Sequence, residues 1–332
     1  MGSLSAAIDR LIKAFDIKAY LKQFAPLAPY PAKDEWRTHC PWCAKGRMLL
    51  GINITSGYWH CFRCDRGSKN FVHLMMVMER ISYRQALEKL QAGAVTPSTS
   101  DLSFVKIILD NVEGLDNDRV AIPETIPLPE DYISLEGKEH WYTRKRRMSQ
   151  ESVDRQQLGY CETGIYSGYL IVPDLNEDEE VVYWLARRMG EGHPKTKNPP
   201  KEWAKVGSAD RLFNYHRAIY KPQAVITEGW ADALRVGDDG VATYGAGLKA
   251  SQIGLLVQGG FDKIILMYDG DAAGREATAD DVQKLTALFN VYTVNLPEGD
   301  PDDYNSRVLR GIINNAKPAG GFIESVNLFK IS

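Results

Sequence analysis

Four cysteines in two Cys-x-x-Cys pairs form the clearest chemical pattern in this sequence. Cys40 and Cys43 make the first pair, and Cys61 and Cys64 make the second. Thiolates at this spacing, with room for a β-hairpin between the pairs, are typical of a tetrahedral structural zinc site. The start of the chain lacks the pattern of an export signal, which favours metal binding over disulfides. The sequence therefore predicts a zinc ribbon that binds Zn²⁺ through these four cysteines.

Carboxylates recur directly after short apolar runs in a later part of the chain. Six of them are Glu228, Asp232, Asp269, Asp271, Asp300 and Asp302. Apolar runs bounded by turn residues predict strands that are buried in a sheet. In open α/β sheets, ligands bind in the crevice outside the carboxyl ends of the strands. We therefore expect these acids to line a ligand site.

The spacing of Asp269 and Asp271 narrows the chemistry of this site. Side chains two positions apart on an extended segment point to the same side, so the two carboxylates converge. They repel each other unless a cation lies between them, and such oxygen ligands suit Mg²⁺ or Mn²⁺. Taken alone, the run Asp269-Gly270-Asp271 is also typical of a solvated turn. An EF-hand loop starting at Asp269 is disfavoured, because Ala273 stands at a ligand position and a strand precedes the loop.

Three acidic motifs together resemble a known catalytic domain. They are Glu228-Gly-x-x-Asp232, Asp269-x-Asp271-x-x-Gly274 and Gly299-Asp300-Pro301. In this order they resemble the Toprim domain of bacterial and bacteriophage primases, type IA and type II topoisomerases and some nucleases. The resemblance implies that Glu228, Asp269 and Asp271 are catalytic, and that all six acids are candidate ligands of Mg²⁺ or Mn²⁺. Glu228 would act as a metal ligand or a general base, with Asp232 supporting it. Primases usually carry a lysine directly before the aspartate of the third motif, whereas this chain has Gly299 before Asp300.

The cysteine region and the segment between the two metal sites extend this resemblance to DNA primases of the bacteriophage and bacterial type. The ribbon resembles a primase zinc-binding domain, and its four cysteines are typical of bacteriophage proteins. Its aromatic residues would stack on bases or pack the small ribbon, and they are Trp42, Tyr58, Trp59 and Phe62. By the same resemblance, five basic residues are candidates for binding nucleic acid or nucleotides, namely Arg144, Arg146, Arg187, Lys195 and Lys205.

At 332 residues, the chain is long enough for two or three domains. The predicted fold class is α/β, with a small β-rich zinc ribbon joined to a primase core. That core comprises an α+β subdomain and a Toprim α/β domain. A helix over 5–24 and a short helix within 104–109 are also expected. The predicted parts are a helix plus zinc-ribbon template-binding domain (1–92), a flexible linker (93–133), a basic N-terminal subdomain of the core (134–220), a Toprim domain (221–304) and a tail (305–332).

Composition and charge place few limits on function. The net charge of −3 neither indicates nor excludes a nucleic-acid partner, because acids at a metal site can mask a basic groove. No apolar run is long enough to span a membrane, so we expect a cytoplasmic protein, or one of the host cytoplasm if viral. The resemblance implies a DNA-dependent primase that makes short RNA primers on single-stranded DNA from nucleoside triphosphates. A separate replicative helicase is a further expected partner. The alternatives are a non-catalytic clamp of the recombination-mediator type and a Toprim nuclease.

Overall fold

Three β-sheets organise this protein. The computed structural model describes residues 4–28, 32–43, 47–95, 97–112, 125–204, 206–294, 296 and 299–319. Within these ranges the sheets have four, five and five strands, and they follow one another along the chain. None of the helices in the described part combines the length and apolar character that a membrane span requires.

The first sheet is antiparallel and surrounds the cysteine pairs. Its strands, adjacent in chain order, are β1 (Glu35–Thr38), β2 (Leu50–Asn53), β3 (Trp59–Cys61) and β4 (Gly67–Ser68). The turn between β2 and β3 requires Gly57, whose φ is +72°. Five helices accompany this sheet, namely α1 (Leu4–Ala14), α2 (Ile17–Phe24), α3 (Phe71–Glu79), α4 (Tyr83–Gly93) and α5 (Thr99–Asn111).

Two expectations for this region need correction. The single helix predicted over 5–24 is two helices, because the Asp16 side chain accepts a hydrogen bond from Ala19 N (2.9 Å) and starts α2. The segment predicted as a linker contains α5, which is longer than the short helix expected there. Val105 and Leu109 are buried, four positions apart, and Asp101 pairs with Arg10 of α1 (2.6 Å). Part of this segment is therefore a packed element and not a free tether.

The ribbon region, which comprises the first sheet and its five helices, packs against the parts of the chain that contain the second and third sheets. Leu4 N donates to Leu288 O (3.0 Å), and Ser5 Oγ donates to Asp262 Oδ1 (2.7 Å). His73 Nε2 lies 3.3 Å from Glu177 Oε1. The expected flexible attachment is thus not what this structure shows, since apolar side chains of α1 and α3 share one core with the third sheet.

The second sheet is an antiparallel meander in chain order. Its strands are β5 (Tyr132–Ser134), β6 (Gly159–Cys161), β7 (Tyr169–Leu175), β8 (Val181–Arg188) and β9 (Thr196–Lys197). Two short helices, α6 (Trp141–Lys145) and α7 (Gln150–Arg155), lie between β5 and β6. Ser149 caps α7 by accepting a hydrogen bond from Ser152 N (3.1 Å). Strands β7 and β8 pair around a turn that is rich in acidic residues.

The third sheet carries the acidic motifs. Its elements follow the order α8 (Tyr215–Ala218), β10 (Gln223–Thr227), α9 (Trp230–Val236), β11 (Gly240–Ala242), α10 (Ala250–Gly259), β12 (Lys263–Leu266), α11 (Ala272–Leu285), β13 (Asn290–Thr293), α12 (Ser306–Asn314) and β14 (Lys317–Pro318). The strand order is β11-β10-β12-β13-β14, and only β14 is antiparallel to its neighbour. The order reverses between β10 and β12. In such sheets this switch point is where ligands bind.

Alternating side chains on the central strands fill the two faces of this sheet. Ile264 and Leu266 of β12 join the core shared with the ribbon region. Ile265, between them, packs with Leu309 and Ile313 of α12 on the opposite face. Full burial of one such side chain contributes about 1.5–3 kcal/mol, so both faces hold the strand ends in place.

Candidate zinc centre and candidate catalytic site

The four cysteine sulfurs form a compact set. Cys40 Sγ lies 3.8 Å from Cys64 Sγ, and Cys43 Sγ lies 3.7 Å from Cys61 Sγ. All four ligand atoms lie within 4.8 Å of one another, and no other such group of His, Cys, Asp or Glu occurs in the part of the chain that the structure describes. A tetrahedron with Zn–S bonds of about 2.3 Å has edges of about 3.8 Å. The residues present therefore fit Zn²⁺, as predicted.

The ribbon's tryptophans pack the module. Trp59 is fully buried, stacks on Trp42 (4.8 Å between ring centroids) and donates from Nε1 to Asn70 O (3.1 Å). Tyr58 and Phe62 are 46% and 59% exposed. Of the aromatic residues considered for stacking on bases, these two are therefore the accessible ones.

The sheet brings the three acidic motifs together. Glu228 directly follows β10, and its Oε1 accepts a hydrogen bond from Asp269 N beyond β12 (3.4 Å). Gly270 N donates to Gly299 O of the third motif (3.4 Å). Asp271 caps α11 by accepting from Gly274 N (2.8 Å). A Cβ atom at Gly274 would lie 2.1 Å from Asp269 O, which explains a glycine at this place in the motif.

Asp232 and the third motif contact each other behind this group. Asp232 lies on α9, is only 6% exposed, and accepts a hydrogen bond from Asp302 N (3.0 Å). Asp300 precedes the short 3₁₀ turn Pro301–Asp303, and its N–H donates to Asp303 Oδ2 (3.2 Å). Asp232 is therefore placed to hold the loop that carries Asp300 and Asp302.

Burial and mutual repulsion shift the titration of these acids. Burial, followed by the charge of Glu228, raises the pKa of Asp269 to about 7. Burial, followed by the charge of Asp302, raises the pKa of Asp232 to about 8. Burial is also the main cause that raises the pKa of Glu228 and that of Asp300.

A divalent cation fits this donor set. Asp269 Oδ1 is buried and has no hydrogen-bond partner, which is costly unless a cation or a donor is supplied. Carboxylate oxygens that repel one another at the end of parallel strands suit Mg²⁺ or Mn²⁺, and a bound cation lowers the pKa of neighbouring acids.

The structure brings one of the five predicted basic residues to the acids. Arg146 forms an ion pair with Asp302. Arg144 is largely exposed, and its Nη2 lies 3.9 Å from Glu139 Oε2. Arg187 belongs to β8 and Lys195 precedes β9, and in the described ranges neither forms a hydrogen bond or ion pair with the acids. Lys205 lies outside the described residues.

Two residues that organise this site were not among the predicted site residues. Arg235 lies on α9, three positions after Asp232, and donates to the backbone of the segment that carries Arg146. The spacing of three positions between Asp232 and Arg235 places both on one helix face, and this spacing is readable in the sequence. Asp281 of α11 is fully buried and accepts from Tyr268 Oη, directly before Asp269, at 2.6 Å. Nothing in the sequence distinguished Asp281 from the other acids of its helix.

Comparison with known families confirms both predicted metal-binding regions. Residues 4–101 match the CHC2 zinc finger family, and residues 225–305 match the Toprim-like family. Together with the relatives below, these matches confirm the resemblance to bacterial-type DNA primases. They do not favour the clamp or the nuclease.

The curated relatives are bacterial. A DNA primase of Helicobacter pylori is 26% identical, over 82% of this chain and 54% of the relative. A DNA primase of Geobacillus stearothermophilus is 28% identical, over 80% of this chain and 52% of the relative. The chain thus spans about half the length of these relatives. A crystal structure of the Aquifex aeolicus primase, containing zinc-binding and RNA polymerase domains, is similar with a TM-score of 0.48 and 22% identity, over 95% of this chain and 86% of that one. A bacteriophage origin stays a prediction.

Proposed function

We propose that this chain, which resembles bacterial-type DNA primases, synthesises short RNA primers on single-stranded DNA by metal-dependent nucleotidyl transfer. The observation that carries the proposal is the convergence of three acidic motifs at the switch point of the third sheet, where Asp269 N contacts Glu228. The presence of a CHC2 zinc finger in the same chain, and relatives that are DNA primases, support it.

The proposed catalytic residues are Glu228, Asp269 and Asp271. The acids that would hold Mg²⁺ or Mn²⁺ are Glu228, Asp232, Asp269, Asp271, Asp300 and Asp302. When bound, the ion supplies charge neutralisation and orientation for the oxygens that attack and leave. Among these acids, Asp269 offers the buried oxygen without a partner, and Asp271 is oriented by its bond to Gly274 N.

The chain's own groups would position the reactants and move one proton. The 3′-hydroxyl of one nucleotide attacks the α-phosphorus of the next, and pyrophosphate leaves. The raised pKa of Glu228 suits a general base that accepts the hydroxyl proton; its other proposed role is metal ligand. Arg146, held beside Asp302, would face a phosphate of the incoming nucleotide or template. Arg144, Arg187, Lys195 and Lys205 are proposed phosphate contacts farther out.

The other proposed partners and parts follow from the same function. Exposed Tyr58 and Phe62 of the ribbon would stack on template bases. Nucleoside triphosphates are the proposed substrates, a separate replicative helicase the proposed protein partner, and the cytoplasm the proposed location. The proposed parts are 1–92, 93–133 with α5 packed against α1, 134–220, 221–304, and 305–332, whose β14 completes the third sheet and whose α12 packs on it.

A primer-synthesis assay tests the proposal. The purified chain is incubated with single-stranded DNA, labelled ribonucleotides and Mg²⁺ or Mn²⁺, beside the Asp269→Ala variant. We expect short labelled products from the wild type, and a loss of at least about 100-fold in the variant, which keeps its fold. Strand cleavage by the wild type would point to the nuclease, and tight DNA binding without products to the clamp. Unchanged synthesis by Asp269→Ala would contradict the assigned site.

A further inference from the structure

Helix α9 contacts both members of the ion pair at the edge of the acidic site. We propose that its Arg235 is a positioning residue, which fixes the backbone from which Arg146 reaches Asp302 and so sets the cation affinity of the site. As regards activity, this inference rests on the proposed function.

The guanidinium of Arg235 makes two hydrogen bonds to consecutive carbonyls. Its Nη2 donates to Arg146 O (2.8 Å), and its Nη1 donates to Arg147 O (2.9 Å). These carbonyls directly follow α6, where a helix leaves acceptors without partners. A planar, two-pronged donor fixes orientation as well as position, which a lysine ammonium cannot do.

The segment held in this way reaches the third motif through its side chains. Arg146 pairs with Asp302, and Arg147 Nη1 donates to Asp303 O (3.3 Å). One turn before Arg235 on the same helix, Asp232 accepts from Asp302 N (3.0 Å). A single turn of α9 therefore binds the backbone of both members of the Arg146–Asp302 pair.

This arrangement links Arg235 to cation binding at the acids. While Arg146 is paired with Asp302, its positive charge lies beside the oxygens that would bind a divalent ion. Releasing Arg146 removes that neighbouring charge. Arg235 also lies close enough to Asp302 for their charges to interact. Arg235→Lys keeps the charge of Arg235 but loses the two-pronged contact, and therefore tests positioning alone.

The experiment measures Mn²⁺ binding to the zinc-loaded full chain by isothermal titration calorimetry. Arg146→Ala is expected to tighten Mn²⁺ binding about fivefold, because it removes a partly screened unit charge. Arg235→Lys is expected to tighten it by a similar factor, and the double variant no more than Arg146→Ala alone. Arg310→Lys is the matched control, since Arg310 makes a comparable two-pronged contact with Asp239, which is not one of the six proposed ligands. It should bind Mn²⁺ as the wild type does.

Two outcomes would overturn the inference. One is wild-type Mn²⁺ affinity in Arg235→Lys, and the other is a full additional shift when Arg235→Lys is added to Arg146→Ala. Arg235→Gln, too short to make both bonds, should reproduce the shift if Arg235→Lys folds poorly. In the synthesis assay, Arg146→Ala and Arg235→Lys should each reduce primer synthesis about tenfold. The double variant should lose no more than Arg146→Ala alone. If the wild type makes no primers, the proposed function fails, while the Mn²⁺ comparison still decides the role of Arg235.

Discussion

The zinc centre and the acidic site are two metal sites with opposite designs. At the zinc centre the four ligand atoms lie within 4.8 Å of one another, on a small sheet whose strands are two to four residues long. At the acidic site the proposed ligands come from strand ends, from α9 and from a loop beside a larger sheet, and burial, followed by the charge of neighbouring acids, raises the pKa of Asp269 and that of Asp232. We expect the first site to depend on its ion for structure and the second to be held by its scaffold.

The difference lies in what surrounds each set of ligands. The strands of the ribbon are short, and the stacked Trp42 and Trp59 pack beside them within the core shared with α1 and α3. The acidic site lies above two fully packed faces of a five-stranded sheet. Removing Zn²⁺ should therefore unfold the ribbon. Removing a divalent cation from the acidic site should leave that site folded, with its carboxylates repelling one another.

The largest expected effect is loss of zinc. Structural zinc contributes roughly 10 kcal/mol or more to the folding of small zinc modules, so a strong chelator or Cys61→Ser should unfold the first sheet. Separation of the stacked Trp42 and Trp59 should change the tryptophan fluorescence, while a cooperative thermal transition of the remaining chain persists. Zinc content is measured alongside. A zinc-free chain with unchanged fluorescence would show that the ribbon does not depend on its metal.

The next effect concerns the scaffold of the acidic site. Asp281 is fully buried and accepts hydrogen bonds from Tyr268 Oη (2.6 Å), Leu248 N (2.8 Å) and Lys284 Nζ (2.7 Å). Asp281→Ala leaves these donors without their acceptor and should destabilise the chain by about 3 kcal/mol. Urea denaturation measures the loss, with exposed Asp280 replaced by alanine as the neighbouring control. Equal stability of the two variants would show that this network does not stabilise the site.

The sequence predicted what depends on local pattern. Cysteine spacing identified the zinc site, and apolar runs followed by acids identified the strand ends that carry Glu228 and Asp269. Both features need only neighbouring residues. The strand order that makes β10 and β12 adjacent was not predicted, because periodicity does not determine which strands pair.

What escaped prediction depends on contacts between distant segments. Asp16 interrupts an amphipathic pattern that continues across it, so the break before α2 is a matter of capping. Helix α5 lies in a segment rich in prolines and polar residues, and its packing relies on the pair between Arg10 and Asp101. The spacing of Arg235 from Asp232 indicated a shared helix face but not the backbone that Arg235 contacts, and Asp281 became visible as a site residue only once the folded chain placed Tyr268 beside it.

A smaller effect of opposite sign should come from neutralising a buried acid. Asp232→Asn keeps an oxygen that can accept from Asp302 N but removes a charge that burial disfavours. Without divalent metal at about pH 8.5, where much of Asp232 is ionised, the variant should be more stable than the wild type by about 1 kcal/mol, or about 3 °C in Tm. Differential scanning calorimetry measures this. A destabilised variant would mean that the charge of Asp232 contributes to the fold.

The smallest effect is a pH dependence of the metal-free chain. In the unfolded chain aspartate titrates near pH 4, whereas the folded pKa is about 7 for Asp269 and about 8 for Asp232. Between these values the folded state binds more protons than the unfolded state, so stability must fall as pH rises. From about pH 6.5 to 8.5, the wild type should lose Tm relative to a variant carrying both Asp269→Asn and Asp232→Asn, which has the same histidines. Millimolar Mg²⁺ should reduce that loss most at the high-pH end, because it binds the ionised acids. Parallel pH profiles for the two proteins would show that these carboxylates are not the strained groups.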